Sequence, residues 1–409
     1  MDKRQLSDRF NKPELLAPAG DLKRAKTAIK YGADAVYLGG KSFSLRSRAS
    51  NFTMDDIQEA CSFAKEHGSR IHVTCNIIPH NEDFEGLKEY LQQLEEAGVT
   101  AIIVASPAIM KLAREVAPKL EIHCSTQMSI TNVDTAMFLH DAFDIDRAVL
   151  ARECSMDDIY EITEKCPVET EAFIHGGMCV NYSGRCTLSN RMTLRDANRG
   201  GCAQSCRWAY NVYQDNKEIS DEQLLTMGSK DLFTADYLYD LMNAGVSSLK
   251  IEGRMKTEYY VATIVSGYRH LIDEIYETKA PLTKERLDYH KHQILYGENR
   301  ETCTGFYAGE AGDESLIYHE TSNADVNHDF LGTVISYEDG KAIIETRNKF
   351  NLNETLEILA PGKQVRSFTV TEIKNSKDEF IETANQPMTL VSINIPFIVN
   401  KEDILRRAR

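Results

Sequence analysis

The chain has no apolar run that approaches the roughly 20 residues needed to cross a membrane. Its first ten residues, Met-Asp-Lys-Arg-Gln-Leu-Ser-Asp-Arg-Phe, are polar and lack the apolar core of a secretory signal. Hydrophobic residues make up 42% and charged residues 27% of the 409, as in globular proteins generally. We therefore expect a cytoplasmic protein that has no membrane partner.

Several familiar catalytic motifs are also missing. The sequence contains no H-E-x-x-H, no G-x-S-x-G, no P-loop and no G-x-G-x-x-G. These absences argue against the common metalloprotease and serine-hydrolase sites, and against a nucleotide-cofactor site. A protease with a convergent site stays open as an alternative, because a missing motif excludes only the sites that the motif describes.

The chain lacks net positive charge, since 47 Lys and Arg face 62 Asp and Glu, which gives −15. Taken whole, this balance argues against a general nucleic-acid binder. Between residues 185 and 208, however, Asp196 is the single acid among five arginines. They are Arg185, Arg191, Arg195, Arg199 and Arg207. This local excess can bind phosphates; the alternative is that these arginines pair with acids elsewhere in the chain.

Ten cysteines in a cytosolic chain indicate metal binding or catalysis more than disulfides. Four of them lie within 28 residues in the spacing C-x6-C-x15-C-x3-C, namely Cys179, Cys186, Cys202 and Cys206. Four thiolates can close around one soft centre, either Zn or an iron–sulfur cluster. Only the last pair has the tight spacing of Zn sites, so the longer gaps favour iron–sulfur. The radical-SAM pattern is absent, because Ala209 stands where its third cysteine would be.

The remaining six cysteines are scattered and have no metal-ligand spacing. We expect them to pack as small apolar side chains. They are Cys61, Cys75, Cys124, Cys154, Cys166 and Cys303.

Short β-rich runs alternate with helical patterns through the first 270 residues, which predicts a (β/α)8 TIM-barrel-like domain. A doubly wound open sheet is the alternative. The eight predicted strands are Glu14–Ala17, Ala35–Leu38, Arg70–Cys75, Ala101–Ala105, Glu121–Ser125, Arg147–Ala151, Thr170–His175 and Ser248–Glu252. The clustered cysteines lie in the long excursion between the seventh and eighth strands, which in a barrel is the C-terminal face where active sites sit.

The pattern changes after the predicted barrel domain, which comprises residues 1–278 with a cysteine loop at 175–210. Residues 279–328 are polar and irregular, which predicts an extended linker. Residues 329–409 predict a small all-β barrel with strands at Leu331–Tyr337, Ala342–Thr346, Thr355–Ile358, Arg366–Ile373 and Ile393–Val399. Small β-barrels often contact RNA; the alternative is that this one only packs against the catalytic domain. Its basic end, residues 406–409, is a second place where RNA is expected.

The cysteine-rich segment resembles the signature of the peptidase U32 family, the collagenase-like peptidases. The matching residues are Glu171, Phe173, Gly176, Cys179, Gly184, Cys186 and Ser189. The resemblance extends to Glu14–Gly20 and Leu249–Arg254, and is greatest to bacterial members that hydroxylate the wobble uridine of tRNA without molecular oxygen. It implies a [4Fe–4S] cluster on the four clustered cysteines, prephenate as the source of the hydroxyl group, and the tRNA anticodon loop as partner.

Polar side chains follow several predicted strand ends, so we expect them to meet above the barrel. The candidates for binding prephenate or RNA are Asn76, Gln127, Arg152, Arg254, Arg195 and Arg199. Prephenate carries two carboxylates, which suits the forks of Arg152 and Arg254; the alternative is a structural ion pair with Glu153 or Glu252.

The catalytic candidates are His175, Glu252 and Tyr182. His175 suits acid–base chemistry four residues before Cys179, or it orients the loop by a hydrogen bond. Tyr182 and Trp208 flank cysteines and can stack on a base, or they pack over the cluster.

Several functional alternatives stay open. The chain is expected to be a tRNA uridine 5-hydroxylase, but hydroxylation of an rRNA base or of a quinone precursor is a related activity. A U32-type peptidase and a non-catalytic scaffold that carries a structural cluster are rivals from other classes. Pairing with a family paralogue, or with a second copy of the chain, is a further expectation.

Overall fold

The computed structural model describes residues 10–44, 51–220, 225–309, 311–312 and 328–409. Its first seven strands alternate with helices, as the sequence predicted. The strands up to the end of the first domain are β1 (Glu14–Pro18), β2 (Ala35–Leu38), β3 (Arg70–Cys75), β4 (Ala101–Val104), β5 (Glu121–Cys124), β6 (Arg147–Val149), β7 (Glu169–Gly176), β8 (Tyr213–Gln214), β9 (Lys217–Glu218), β10 (Asp231–Phe233), β11 (Ser248–Ile251) and β12 (Thr302–Cys303).

A closed parallel barrel is formed by β1 to β7 and β11. Strands β1 to β7 pair in chain order, and β11 closes the ring by pairing with both β7 and β1. This closure confirms the predicted (β/α)8 barrel and excludes the open doubly wound sheet. The cysteine loop leaves β7 at the C-terminal face. Beyond the ring, β10 pairs antiparallel with the end of β7, and β12 extends that pair.

The helices of the described ranges are α1 (Leu22–Lys30), α2 (Met54–Glu66), α3 (Leu87–Glu96), α4 (Pro107–Val116), α5 (Val133–Phe143), α6 (Met156–Lys165), α7 (Leu188–Thr193), α8 (Leu238–Ala244), α9 (Glu258–Thr278) and α10 (Lys284–Leu295). Local chemistry fixes their starts: Thr53 and Ser155 each form a capping box with an aspartate three residues later. None of the helices in these ranges combines the length and the apolar character that a membrane span requires.

The N-terminal end of the barrel interior is charged, although TIM barrels are usually filled by branched apolar residues. The buried Arg147 donates to Glu14 at 2.6 Å and to Glu171 at 3.1 Å. Lys250 donates to the second oxygen of Glu171 at 2.7 Å. Burial alone raises the pKa of Glu171, but the charges of Lys250 and Arg147 outweigh it and bring the pKa to about 2. Glu171 is therefore a buried anion between two cations.

Two buried histidines lie beside this network. The rings of His72 and His123 meet edge to face with centroids 4.7 Å apart. Burial lowers the pKa of both well below its ordinary value, and the charge of Arg147 acts in the same direction. Both side chains are therefore neutral at pH 7.

The C-terminal domain is a half-barrel of seven antiparallel strands in the order β17-β16-β21-β13-β14-β20-β18. Its strands, including the separate pair β15–β19, are β13 (Phe330–Glu338), β14 (Lys341–Thr346), β15 (Phe350–Asn351), β16 (Thr355–Leu359), β17 (Arg366–Thr369), β18 (Ile373–Lys374), β19 (Thr383–Ala384), β20 (Leu390–Asn394) and β21 (Ile404–Arg407). An apolar core of its own, which includes Leu331, Ile344 and Ile393, confirms the predicted small β domain.

The strands of this domain differ from the prediction at several places. The predicted strand Arg366–Ile373 is divided into β17 and β18, and the pair β15–β19 was not predicted. The last predicted strand, Ile393–Val399, begins earlier and ends at Asn394, because Pro396 has no N–H to donate to a ladder. Strand β21 was not predicted, because its two arginines made residues 404–409 appear to be a basic tail.

The basic end is neutralised in the structure. Arg406 is 1% exposed and donates to Glu357 at 2.8 Å. Arg407 pairs with Glu354, and Arg409 pairs with Asp329. These ion pairs remove the charge excess on which the expectation of RNA binding at residues 406–409 depended.

The predicted extended linker contains a helix, α10, which packs against α9. The N-cap Thr283 accepts from the backbone N–H of Arg286. The helix was missed because its apolar residues are few and its sequence, Lys-Glu-Arg-Leu-Asp-Tyr-His-Lys-His-Gln-Ile-Leu, is mostly polar. Residues 310 and 313–327 of the predicted linker lie outside the described residues.

Candidate functional site

The cysteine loop begins at Gly176, the last residue of β7. Gly176 has φ of 99°, and a Cβ there would lie 2.2 Å from the carbonyl oxygen of Glu252. A side chain is therefore excluded both by the left-handed backbone and by the close approach of the neighbouring strand end. The glycine of the signature thus lets the chain turn out of the barrel at its C-terminal face.

Two polar side chains hold the loop together. Asn198 accepts from the backbone N–H of Cys186 at 3.2 Å and donates to its carbonyl oxygen at 3.0 Å. The buried hydroxyl of Ser189 donates to the carbonyl oxygen of Arg195 and accepts from the N–H of Ala203, both at 3.0 Å. The segments that carry Cys186 and Cys202 are thereby joined.

The four loop thiols differ in exposure: Cys202 is exposed, Cys179 and Cys206 are half-buried, and Cys186 is buried. The Asn181 side chain donates to the sulfur of Cys186 at 3.1 Å. Burial raises the pKa of Cys179 and of Cys206, and the neighbouring loop thiols raise both further. Thiolates on this loop would therefore repel one another.

Such a set of thiols suits a cationic centre, which removes that repulsion when it binds. Within the part of the chain that the structure describes, no three His, Cys, Asp or Glu side chains are arranged so that they hold a metal ion. The four-cysteine ligand set therefore stays a prediction from sequence spacing and thiol chemistry.

The six cysteines outside the loop behave as packing residues. Burial raises the pKa of four of them to about 12, which keeps them protonated at neutral pH. These four are Cys61, Cys75, Cys124 and Cys154. Burial also raises the pKa of Cys166 and Cys303.

A cavity of about 250 Å³ opens between the cysteine loop and the barrel. Its wall combines apolar side chains with polar groups and one of the loop thiols. The lining residues are Arg152, Glu153, Met178, Cys179, Val180, Asn181, Tyr182, Ser183, Gly184, Ser229 and Phe306. The cavity brings together two of the predicted site residues, Arg152 and Tyr182, with Cys179.

Arg152 lies in this wall as a cation that no acid neutralises among the described residues. Its guanidinium stacks on the ring of Phe173, 3.6 Å from the centroid. The neighbouring Glu153 instead accepts from the N–H of Ser183 at 2.7 Å and from its hydroxyl at 2.9 Å. The alternative of an Arg152–Glu153 ion pair is therefore not what the structure shows, and Arg152 is available to an anion in the cavity.

Arg254 has a different setting, because it is buried and packed. It donates to Ser44 at 2.9 Å, to Thr74 at 3.2 Å and to Asn51 at 3.1 Å. A Cβ at Gly39 would lie 2.1 Å from its Nη2 atom, so the guanidinium lies directly against the backbone there. This geometry favours Arg254 as a tie between strand ends over Arg254 as a ligand for a small anion.

His175 is buried at the end of β7, and both of its ring nitrogens are engaged. Nε2 lies 2.6 Å from Glu298, and Nδ1 lies 3.2 Å from the hydroxyl of Tyr268. Burial alone raises the pKa of Glu298, but the charge of His175 and its hydrogen bond outweigh burial and lower it. The geometry favours the alternative role of His175, in which it holds the loop and does not touch the substrate.

Glu252 and Tyr182 lie nearer to the solvent. Glu252 follows β11, and one of its oxygens accepts from the hydroxyl of Tyr37 at 2.9 Å. Tyr182 is 57% exposed on the rim of the cavity. The sequence does not single out Tyr37, because it lies in the apolar run of β2. It reaches Glu252 only once β11 pairs with β1 and closes the barrel.

Asn76 and Gln127 meet as predicted at the ends of β3 and β5. The amide of Asn76 donates to Gln127 Oε1 at 3.2 Å. Gln127 is 3% exposed, and its Nε2 atom is buried without a hydrogen-bond partner among the described residues. A buried amide without an acceptor is costly, so this corner of the barrel mouth suits a ligand oxygen.

The predicted RNA-binding arginines, Arg195 and Arg199, are engaged within the protein. Arg199 pairs with Asp83 at 2.8 Å and with Glu82 at 3.3 Å, on the segment after β3. Arg195 donates to the carbonyl oxygen of Cys202 at 3.4 Å. Arg199 thus docks the loop onto the barrel, which was the alternative that the sequence analysis left open.

Asp231 is a structural centre that the sequence analysis missed. This fully buried carboxylate lies 3.3 Å from Arg207, 3.5 Å from Lys256 and 3.7 Å from Arg300. It therefore ties the end of the cysteine loop to two other segments. No sequence signal identifies it, because its three partners come from three separate parts of the chain.

Comparison with known proteins agrees with this architecture. The model of peptidase family U32 matches residues 20–316, and that of the family's C-terminal domain matches residues 326–406. The tRNA hydroxylation protein P1 of Bacillus subtilis is 40% identical over 97% of this chain and 95% of its own length. The 23S rRNA 5-hydroxycytidine C2501 synthase of Escherichia coli is 41% identical, over 66% of this chain and 41% of its own length.

A third relative has a name of another class. The protein named collagenase of Porphyromonas gingivalis is 31% identical over 88% of this chain and 90% of its own length. The match of both family models, the identity to full-length relatives and the cysteine loop at the mouth of a closed barrel lead to one assignment. The chain belongs to peptidase family U32.

Proposed function

We propose that this protein hydroxylates C5 of the wobble uridine of tRNA, with prephenate as the source of the hydroxyl group and a [4Fe–4S] cluster on the four cysteines of the loop. The observation that carries the proposal is the 40% identity, over 97% of the chain, to a relative named as a tRNA hydroxylation protein. RNA hydroxylation also appears in the name of the rRNA relative, so two branches of the family share this type of reaction.

Coverage favours tRNA over rRNA as the substrate. The chain spans 95% of the tRNA-named relative and 41% of the rRNA-named relative. The C-terminal half-barrel is therefore part of what is shared with the tRNA-named protein. Peptidase activity has less physical support, because burial raises the pKa of the cysteines outside the loop and keeps them from serving as thiolate nucleophiles.

The donor set fits the proposed cluster. Four thiols lie on one loop, and the Asn181 amide donates to one of their sulfurs, a contact that tunes iron–sulfur centres. A bound cluster would supply a Lewis-acidic or redox-active iron at the barrel mouth. The chain's own residues then hold the reactants: Arg152 offers a carboxylate site in the cavity, and Asn76 and Gln127 offer amides at the barrel mouth.

We place prephenate in the cavity of about 250 Å³. Arg152 supplies a planar cation for a carboxylate, while Met178 and Phe306 supply apolar wall for a ring. Arg254, the second sequence candidate, already donates to three side chains. The geometry therefore favours Arg152 as the carboxylate anchor.

Replacement of Arg152 by Met is expected to weaken prephenate binding by about 10- to 150-fold, the range of a lost charge-assisted hydrogen bond. Arg152→Lys keeps the charge but loses the fork, so a smaller loss is expected. Calorimetric titration of prephenate into the purified protein measures both. In Arg254→Met the main loss is expected in thermal stability. If Arg152→Met binds prephenate normally and Arg254→Met does not, the assignment of the anchor is reversed.

The proposed function is tested by mass spectrometry of tRNA nucleosides. A strain that lacks the gene and is grown without oxygen is expected to lose 5-hydroxyuridine and its derivatives from tRNA, and a plasmid copy is expected to restore them. Hydroxycytidine in 23S rRNA and quinone levels serve as controls for the related reactions. Unchanged tRNA nucleosides together with a loss of either control product would refute the proposal.

A further inference from the structure

The exposed arginines of the cysteine loop are not the two that the sequence proposed for RNA binding. Arg185 and Arg191 are exposed, and neither forms an ion pair with any residue that the structure describes. Arg185 has a contact of 3.7 Å from Nη2 to the sulfur of Met128. Arg199, by contrast, pairs with Asp83, and Arg195 is half-buried and donates to a backbone carbonyl oxygen. The exposed charge that the loop offers to a partner is therefore that of Arg185 and Arg191.

Exposed aromatic and apolar side chains accompany these cations. Trp208 is 41% exposed, Tyr182 is 57% exposed and Leu194 is 94% exposed. Isolated apolar side chains on a surface are normal, but several on one loop mark an interaction site. Trp208 is also the single tryptophan of the chain.

The position of these residues relates them to the barrel mouth. The turn 182–184, directly before Arg185, packs against the turn 126–128 that follows β5. Helix α7, which carries Arg191, packs against the turn 205–207 directly before Trp208. The cations and the aromatic rings thus belong to the loop that lines the cavity at the barrel mouth, and Tyr182 itself forms part of the cavity wall.

We propose that the exposed face of this loop, which presents Arg185, Arg191, Tyr182 and Trp208, binds a single-stranded RNA loop. The two arginines contact phosphates, and Trp208 stacks on an unpaired base. The chain as a whole carries −15, so a polyanion is repelled elsewhere and is attracted to this unneutralised patch. The proposal rests on the proposed function only for the identity of the RNA as tRNA.

An RNA partner explains the combination better than a protein partner does. Exposed arginines without acids match a phosphate backbone, and flat side chains next to them match bases, which stack on aromatic rings regardless of sequence. A second copy of this chain would offer an acidic surface to the two arginines, but it would not account for the exposed aromatic rings beside them. Self-association is therefore an outcome that the test must be able to detect.

The first test compares two double variants in the same loop, with an unmodified tRNA transcript as probe. Arg185→Ala with Arg191→Ala is expected to weaken tRNA binding and to reduce the slope of log K against log salt by about 1.4 to 1.8, because two phosphate contacts are lost. Arg195→Ala with Arg199→Ala is the comparison pair. A larger change of slope in the comparison pair would overturn the proposal.

The second test uses Trp208 as its own reporter. Because the chain has no other tryptophan, a change in tryptophan emission when an anticodon stem-loop is added reports stacking on this ring. Trp208→Ala is expected to weaken binding by about 5- to 150-fold, and Trp208→Phe is expected to recover most of the affinity. Unchanged emission at saturating RNA, or equal affinity of Trp208→Ala and the parent protein, would refute the stacking site.

Failure of this inference and failure of the proposed function give different results. If tRNA nucleosides are normal in the deletion strain but the arginine and tryptophan variants lose RNA binding, the surface is confirmed and the reaction is wrong. If hydroxylation is confirmed but these variants bind tRNA normally, the RNA surface lies elsewhere. Dimerisation that is lost in Arg185→Ala with Arg191→Ala, with tRNA affinity unchanged, would show instead that the face binds a second copy of the chain.

Discussion

Replacement of any one of the four loop cysteines by alanine is expected to abolish the metal centre and the hydroxylation of tRNA. In a [4Fe–4S] cluster each iron takes one thiolate from the protein, so the loss of Cys179 or Cys202 leaves one iron without its ligand. Protein purified without oxygen is expected to be brown and to hold about four iron and four sulfide per chain. In each variant, including Cys186→Ala and Cys206→Ala, both values are expected to fall close to zero.

The matched controls are two cysteines outside the loop. Cys166 and Cys303 are half-buried, as are Cys179 and Cys206, but they lie on other segments. Cys166→Ala and Cys303→Ala are therefore expected to keep iron, sulfide and activity. Full retention of iron in Cys179→Ala would contradict the ligand set, and a colourless parent protein with one Zn would contradict the cluster itself.

The alternation of strand and helix patterns was enough to predict the barrel, because its parallel strands β1 to β7 pair in chain order. All eight predicted barrel strands occur, and none of their predicted ends differs from the observed one by more than two residues. Helix α10 escaped prediction for the opposite reason, because it is stabilised by packing against α9 and not by a strong apolar face of its own. Strand β21 escaped because Arg406 is buried by a partner, Glu357, that is 49 residues away in sequence.

The candidate site likewise combines features that follow from short-range sequence pattern with features that depend on distant partners. The cysteine spacing and the position of the loop at the barrel mouth follow from short-range pattern and from chain order. The state of each arginine does not: Arg199 is neutralised by Asp83, which is 116 residues distant, whereas Arg185 in the same loop is free of such a partner among the described residues. His175 likewise depends on Glu298, 123 residues away. Sequence therefore identifies candidate side chains, and tertiary pairing decides which of them can reach a ligand.

Replacement of Glu171 by Gln is expected to lower the free energy of unfolding by about 3–5 kcal/mol, the loss typical of a broken buried ion pair. Glu171 is fully buried and lies between Lys250 and Arg147 at the N-terminal end of the barrel interior. A neutral amide leaves both cations without part of their compensating charge. The matched control is Glu161→Gln, which removes the same charge from an exposed pair with Lys165. Chemical denaturation is expected to show no measurable change in the control.

The pH dependence of unfolding tests the same network with the sign fixed by the pKa shifts. The pKa of Glu171 falls from an ordinary 4.5 to about 2 on folding, so its stabilisation is present above about pH 4.5 and is lost as the pH falls toward 2. His72 and His123 have a lowered pKa when folded. Their contribution is therefore lost earlier, as the unfolded chain takes up protons below about pH 6.5.

The parent protein is thus expected to lose stability in two successive steps on acidification, and Glu171→Gln is expected to show a smaller lower step and an unchanged upper one. The reason is that glutamine does not titrate, while the two histidines remain buried and neutral. Denaturation midpoints measured from pH 7.5 to pH 3.5 separate the steps. The prediction is wrong if Glu171→Gln has the stability of the parent at pH 7 and the same dependence of stability on pH below pH 4.5. Glu171 would then not be a buried anion that stabilises the N-terminal end of the barrel interior.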